Sequence, residues 1–318
     1  MQNLSKKLAA ILFGVVFALV LLEIGCQILY KVLVTPSLKA QQADQLHYYI
    51  PSDDPRLTYQ MKPGYHIQLD DRRLAINQYG FRDDSDETDF PKTVALFGDS
   101  VPFGQGLDQT ESAPAELQKL VGDSIKVVNF GTCGYGLEEL KAYLETKYNV
   151  YKPQTIYYFL NLNDFSRRNS IYEGGDNGLY RIYKTPFFKL PFFINKAIYR
   201  YVKEGKMSSV KWYKWMFEGN KEQFLPIITE MADFAKSNGS DFRVLLFPPA
   251  VAYENGNFAL QPVFDEIIDF CKKNNLHVLA PVEPFSHNPQ ELQDNTDHFQ
   301  PPGAQLMARV IWEDMQER

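Results

Sequence analysis

Leu96-Phe97-Gly98-Asp99-Ser100-Val101-Pro102-Phe103-Gly104-Gln105-Gly106 is the stretch on which the reading of this chain turns. The apolar run that enters it, Thr93 to Phe97, is short, uncharged and cut off by a glycine, which predicts a buried strand. A serine just past such a strand stands at the carboxyl edge of a sheet, where ligands dock in open α/β folds. Gly98 permits a tight turn, and Gly104 and Gly106 keep the following loop thin. Taken alone, the same residues also describe an ordinary strand-to-loop junction with Ser100 as an N-cap.

Three further blocks change the balance. Asn129-Phe130-Gly131-Thr132-Cys133-Gly134 follows a second apolar strand, Ile125 to Val128. Asn161-Leu162-Asn163-Asp164 follows a third, Ile156 to Leu160, and Asp297-His298-Phe299 stands just ahead of the last helix. In this order and spacing the four blocks resemble those of the SGNH (GDSL-type) hydrolases, named for a serine, a glycine, an asparagine and a histidine. The resemblance runs from about Leu57 to the C-terminus. It implies an α/β three-layer sandwich around a five-stranded parallel sheet of the flavodoxin-like kind, and ester hydrolysis through an acyl-enzyme.

The chemistry gives each residue a task. An unactivated serine hydroxyl is a weak nucleophile near neutral pH and needs a base within hydrogen-bond reach. For Ser100 that base is His298; His47 and His66 precede the core, His277 opens a strand, and His287 is the competitor. A developing oxyanion needs donors already in position. The resemblance assigns them to the backbone N–H of Ser100, the backbone N–H of Gly134 and the side-chain amide of Asn163. Gly134 takes that role ahead of Gly131 because it stands five residues after Asn129, the family's step. A simple turn or cap remains the other reading of Asn163.

Two departures from the family pattern stand out. The third block opens with Asn161 where the family has glycine. Three residues before the histidine, where the family has aspartate, stands Asn295; Asp294 is one residue early and Asp297 is adjacent. An asparagine can hold an imidazole through its carbonyl but stabilises the imidazolium less. Exchanging that carboxylate for an amide costs about 10⁴ in kcat in the serine-protease template. Three outcomes stay open: a one-residue bulge that brings in Asp294, a Ser–His dyad, or weakened chemistry.

A chain of 318 residues has ample material for a core, in one large or two small domains. The net charge of −6 gives no reason to expect a nucleic-acid partner. Cys26, Cys133 and Cys271 are too few for a disulfide framework and lack metal-ligand spacing, although a Cys133–Cys271 bridge stays open. No phosphate loop or dinucleotide fingerprint appears, so neither a cofactor nor a metal is expected.

At the start, Lys6 and Lys7 precede an uncharged run, Leu8 to Leu22. Fifteen residues of helix reach about 22 Å, short of a roughly 30 Å hydrocarbon core. The apolar pattern continues to Val34, interrupted only by Glu23, Gln27 and Lys31, which recur every four positions and share one face. One helix from about Leu8 to Val34 is therefore expected to span a bilayer, with the two lysines holding the N-terminus on the cytoplasmic side. A cleaved signal peptide, or a lipoprotein signal using Cys26, are the rival readings. The expected organisation is residues 1–34 as anchor, 35–90 as juxtamembrane linker and lead-in, and 91–318 as catalytic domain. The segment Tyr59 to Arg82 resembles the lead-in of membrane-anchored bacterial SGNH proteins, and a hairpin covering a sheet edge is its plainer reading.

Within the catalytic region apolar strands alternate with helical patterns, which predicts a parallel sheet covered on both faces. Helices are expected at Thr110 to Val121, with Thr110 as N-cap, at Leu137 to Tyr148, and at Lys221 to Ser237. Between them, at about 165–221, lies an insertion of different character. From Arg167 to Lys221 it holds twelve Lys/Arg against four Asp/Glu, interleaved with aromatics such as Phe187, Phe188, Trp212 and Trp215. It reads either as a cap whose rings and cations meet sugar, anionic polymer or lipid headgroups, or as a locally packed subdomain. The resulting expectation is a membrane-anchored extracytoplasmic serine esterase that removes or transfers O-acyl groups on an envelope glycan or smaller acylated molecule. A decayed relative that only binds glycan or lipid is the rival.

Overall fold

A computed structural model describes residues 2–36, 48–57, 59–69, 71–166, 187–203, 207–294 and 298–317. They fall into two compact units, Met1–His47 with Asn169–Gly205, and Tyr48–Arg168 with Lys206–Arg318.

The first unit is built on the helix Gln2–Leu29, continued by a π-helical turn, Tyr30–Val34. Its stretch Ser5–Val34 has a most apolar window of mean hydropathy 2.6, none of it buried, and is long enough to cross a bilayer; a signal sequence passes the same test. The polar face of this helix has a definite use. The Glu23 carboxylate accepts the backbone N–H groups of Lys189 at 2.7 Å and Leu190 at 2.8 Å. Gln27 donates to the Phe187 carbonyl at 2.8 Å. These residues open a second helix, Leu190–Lys203. Tyr30 meets Phe192 edge-on at 5.2 Å and carries the Lys189 ammonium over its ring.

The second unit opens with two antiparallel pairs, β1 (Tyr49–Pro51) with β2 (Tyr59–Met61) and β3 (His66–Gln68) with β4 (Arg73–Ala75). Then come β5 (Thr93–Gly98), β6 (Lys126–Gly131), β7 (Thr155–Leu160) and β8 (Asp241–Leu246). A small hairpin, β9 (Tyr253–Glu254) and β10 (Asn257–Phe258), precedes the last strand, β11 (His277–Leu279). The five long-range strands pair in parallel in the order β6-β5-β7-β8-β11. This is the five-stranded flavodoxin-like sheet that the sequence predicts. Successive strands are laid down to one side of β5 and then to the other, so the crevice between β5 and β7 is the switch point where such folds bind ligands.

Side chains alternate across the sheet as strand geometry requires. Val94, Leu96, Tyr157, Phe159 and Leu245 face the layer made by the helices Ala113–Val121 and Pro301–Gln316. On the other face Phe97, Phe130 and Tyr158 form an aromatic layer with Tyr143 of the helix Leu137–Tyr151. Each such buried apolar side chain contributes roughly 1.5–3 kcal/mol. Cys133 and Cys271 are both unbridged thiols inside this unit, so the disulfide left open by the sequence is absent.

Three boundaries move. The helix expected from Lys221 begins at Ser209, capped by the Ser208 hydroxyl, and runs through Pro226 to Ser237. The last part of what reads as insertion, from Ser209 on, is therefore the start of a sheet-covering helix, and Trp212, Tyr213 and Phe217 are buried core residues, Phe217 lying edge-on to Phe165 at 5.0 Å. The first helix starts at Ala113 with Ser112 as its cap, because Thr110 is held by Asp108 in the preceding turn. Residues 48–90, expected to form a lead-in of their own, belong to the same compact unit as the parallel sheet. Arg82 explains why. Its buried guanidinium donates to the carbonyls of Phe103 (2.8 Å), Gly104 (2.6 Å) and Leu107 (2.8 Å) and to the Gln109 side chain (3.2 Å).

Candidate active site

β5 ends at Gly98, whose φ of +152° and close approach to the Phe159 carbonyl leave no room for a side chain. The chain then turns into a single helical turn, Ser100–Phe103, capped by Asp99 rather than by Ser100: the Asp99 carboxylate accepts the Val101 N–H at 3.0 Å. Ser100 is thereby released from capping. Its hydroxyl lies 2.7 Å from Nε2 of His298 and 3.4 Å from Asp99 Oδ2. The direction of the shorter contact follows the imidazole tautomer: with the ring proton on Nδ1, Nε2 accepts from the hydroxyl.

His298 is held by its own loop. Asp294 N–H donates to the His298 carbonyl at 2.8 Å, and the His298 N–H donates to the Asp294 carboxylate at 3.0 Å. Beyond this clasp Gln293 bridges to Phe299, whose ring packs on Phe247 and Phe285. Of the two residues proposed to support the histidine, Asp294 thus binds its main chain, while Asn295 and Asp297 lie outside the described residues. His287 is exposed beside Glu283, and His277 pairs with Asp314, so neither competes with His298.

The oxyanion candidates stand on three adjacent strand ends. Gly98 on β5 is in register with Gly131 on β6 and with Phe159 on β7, and the Thr132 N–H closes onto the Gly98 carbonyl at 3.0 Å. Ser100 follows the first strand, Gly134 (φ +80°) the second, and Asn163 lies in a short turn after the third. Gly131 has a packing role that separates it from Gly134. A Cβ built there would lie 2.1 Å from the Phe103 nitrogen. The Asn129 side chain braces the same contact, donating to the Phe103 carbonyl at 3.1 Å and accepting from the Gly131 N–H at 3.0 Å.

Asn161, where the family has glycine, ties two loops together. Its amide donates to Asp99 at 3.5 Å, its carbonyl oxygen accepts from the Asn163 N–H at 3.5 Å, and its own N–H donates to Asp164 at 3.1 Å. Burial pushes the Asp99 carboxyl up, against the Val101 N–H, His298 and the Asn163 amide, which favour its charge. Burial, reinforced by Asp99, raises Asp164 further, and Asp164 takes the Tyr158 hydroxyl at 2.7 Å. Two carboxyls beside Ser100 therefore resist being ionised together.

One group left no periodic trace in the sequence. The Tyr59 hydroxyl donates to the Cys133 carbonyl at 2.7 Å, and the Tyr49 hydroxyl accepts the Cys133 N–H at 3.1 Å. Because the Cys133–Gly134 peptide is planar, gripping its carbonyl also sets the direction of the Gly134 N–H. Among the described residues no group of three His, Cys, Asp or Glu is placed to hold a metal.

No protein-family model and no curated protein matches the sequence. Solved structures do. The chain is similar to a member of the lipolytic protein G-D-S-L family from Veillonella parvula, at 12% identity over 71% of this chain and 100% of that one, TM-score 0.44. A variant of an acetyl-xylooligosaccharide esterase from Geobacillus aligns at 17% identity over 72% and 95%, TM-score 0.44. A psychrotrophic esterase from Pseudoalteromonas aligns at 13% over 71% and 97%, TM-score 0.44.

Proposed function

We propose that this chain is a membrane-anchored serine ester hydrolase of the SGNH type, with its catalytic unit on the extracytoplasmic side. The observation that carries the reading is the 2.7 Å hydrogen bond between the Ser100 hydroxyl and His298 Nε2 at the carboxyl edge of the sheet. Ser100 attacks the ester carbonyl carbon as its proton passes to His298. The carbonyl oxygen becomes an oxyanion facing the N–H groups of Ser100 and Gly134 and the Asn163 amide. Collapse expels the alcohol, which takes the proton from His298. Water, or a sugar hydroxyl, then attacks the acyl-enzyme with His298 again as base. O-acyl groups of envelope glycans are the substrate class suggested by location.

Retention of the anchor is supported by Glu23, Gln27 and Tyr30, which contact residues 187–192, far along the chain. A cleaved leader would take those partners away. The test is hydrolysis of short p-nitrophenyl esters and of acetylated glycans by the detergent-solubilised full chain. Ser100→Ala is expected to abolish turnover with the thermal midpoint unchanged. Parental turnover in that variant would refute the enzyme reading and leave a binding protein.

A further inference from the structure

A carboxylate inside an apolar helix is the unexplained feature of the first unit. If Leu8 marks the inner edge of a roughly 30 Å hydrocarbon layer, its outer edge falls near residue 28 at 1.5 Å per residue. Glu23 then lies about 7 Å inside it. An isolated carboxylate at that depth is unfavourable. Here it is satisfied by two N–H groups from far along the chain, those of Lys189 and Leu190, which are themselves among the orphan donors at a helix start. The arrangement stabilises both ends of the contact, and it brings residues 187–190 to the depth of Glu23.

What these residues expose fits that depth. Phe187 is 84% exposed, Phe188 60% and Ile194 49%. Large apolar side chains in water would be costly, and these three adjoin a helix whose own apolar window is wholly unburied. The contact continues along one face of the anchor at helical spacing, Glu23, Gln27, Tyr30 and Val34, the last two buried. Lys189 lies over Tyr30, the kind of ring-and-cation pair favoured at the lipid–water boundary.

We propose that residues 187–194 form a second membrane contact, with Phe187, Phe188 and Ile194 in the outer acyl–headgroup layer and the segment held against the anchor by Glu23. The occupant of this apolar surface is the bilayer that receives the anchor. The inference rests on the anchor reading and is independent of the chemistry at Ser100.

The test uses the full chain in phosphatidylethanolamine–phosphatidylglycerol vesicles. Phe188→Cys on a Cys26→Ser background is labelled with an environment-sensitive nitrobenzoxadiazole; the buried thiols of Cys133 and Cys271, pushed up to about 12 by burial, stay unreactive. Labels placed through Phe13→Cys and Glu254→Cys serve as membrane and water references. The label at 188 is expected to be quenched by shallow spin-labelled lipid and reduced by dithionite at least ten-fold more slowly than that at 254. Glu23→Ala is expected to raise the dithionite rate at 188 several-fold. Equal rates at 188 and 254, with position 13 protected, overturn the second contact and leave the anchor standing. Exposure of position 13 itself sinks both. An unchanged rate in Glu23→Ala overturns the role given to the carboxylate.

Discussion

Gly131→Ala is the sharpest single probe of how Ser100 is held. The added methyl would lie 2.1 Å from the Phe103 nitrogen, 2.5 Å from its Cα and 2.8 Å from its Cβ. Relief to an ordinary contact of roughly 3.4 Å moves one backbone by about 1.3 Å, and overpacking of this kind costs typically 1–3 kcal/mol. Two backbones can give way, and both carry the site. If the turn Ser100–Phe103 moves, the 2.7 Å Ser100–His298 hydrogen bond stretches towards about 4 Å, beyond any useful length. If β6 moves, which it can as an edge strand, the Asn129 brace opens and the Gly134 loop goes with it. A displacement of about 1 Å at reacting atoms costs on the order of 10²-fold. The expected result is kcat/KM on a p-nitrophenyl ester reduced about a hundred-fold, with a melting midpoint lowered by roughly 2–12 °C. Gly219→Ala supplies the control: nothing lies within 4 Å of its added methyl, and it sits within the helix Ser209–Ser237. There the same chemical change is expected to stabilise by about 0.5–1 kcal/mol. Parental activity and melting in Gly131→Ala would refute the close packing and, with it, the account of why β6 is glycine at this level.

Tyr59→Phe removes the hydroxyl that grips the Cys133 carbonyl, and is expected to lower kcat about ten-fold with KM little changed, measured by steady-state kinetics. Asn161→Gly is expected to lose about 1–2 kcal/mol in chemical denaturation, because the two side-chain hydrogen bonds go and a flexible residue arrives. Arg243→Met leaves Asp314 buried with only Tyr157 and His277, and is expected to cost about 3 kcal/mol while kcat below the transition stays unchanged, since the cluster lies at the opposite end of the strands from Ser100. Although burial opposes it, hydrogen bonds from Tyr157 and His277 hold the Asp314 carboxyl below its ordinary value. Its contribution is therefore present above the unfolded carboxylate value and lost as pH falls through the folded one. Acid titration of the melting midpoint is expected to show that loss in the parent and a smaller one in Arg243→Met.

The sheet was legible because its strands are built on short apolar runs that break off at a glycine or asparagine: Gly98 closing β5, Gly131 closing β6, Asn161 after β7. Ser100 and His298 were legible through the blocks that hold them, and the structure brings them together. What escaped were contacts that leave no periodic trace. Asp99 outcompetes Ser100 for the cap because its carboxylate reaches the Val101 N–H, a choice that spacing alone does not reveal. The helix start at Ser209 was hidden by Lys211, Lys214 and the rings around them, which look like a charged surface until their burial is known. Glu23 read as an interruption of an apolar run, since its partners lie some 166 residues away.

Arg82 carries a practical consequence. It is a buried cation that forms no ion pair among the described residues, held by the carbonyl oxygens of Phe103, Gly104 and Leu107 and by the Gln109 side chain, and burial pushes its guanidinium down to about 10. The Asn129 amide would remain on the Phe103 carbonyl and the Leu107 N–H on that of Gly104, but a shortened gene product opening at the first parallel strand would lose the guanidinium that joins these carbonyls to that of Leu107. Any excised version should instead begin ahead of Tyr48, keeping the strap that carries Arg82 as an integral part of the unit.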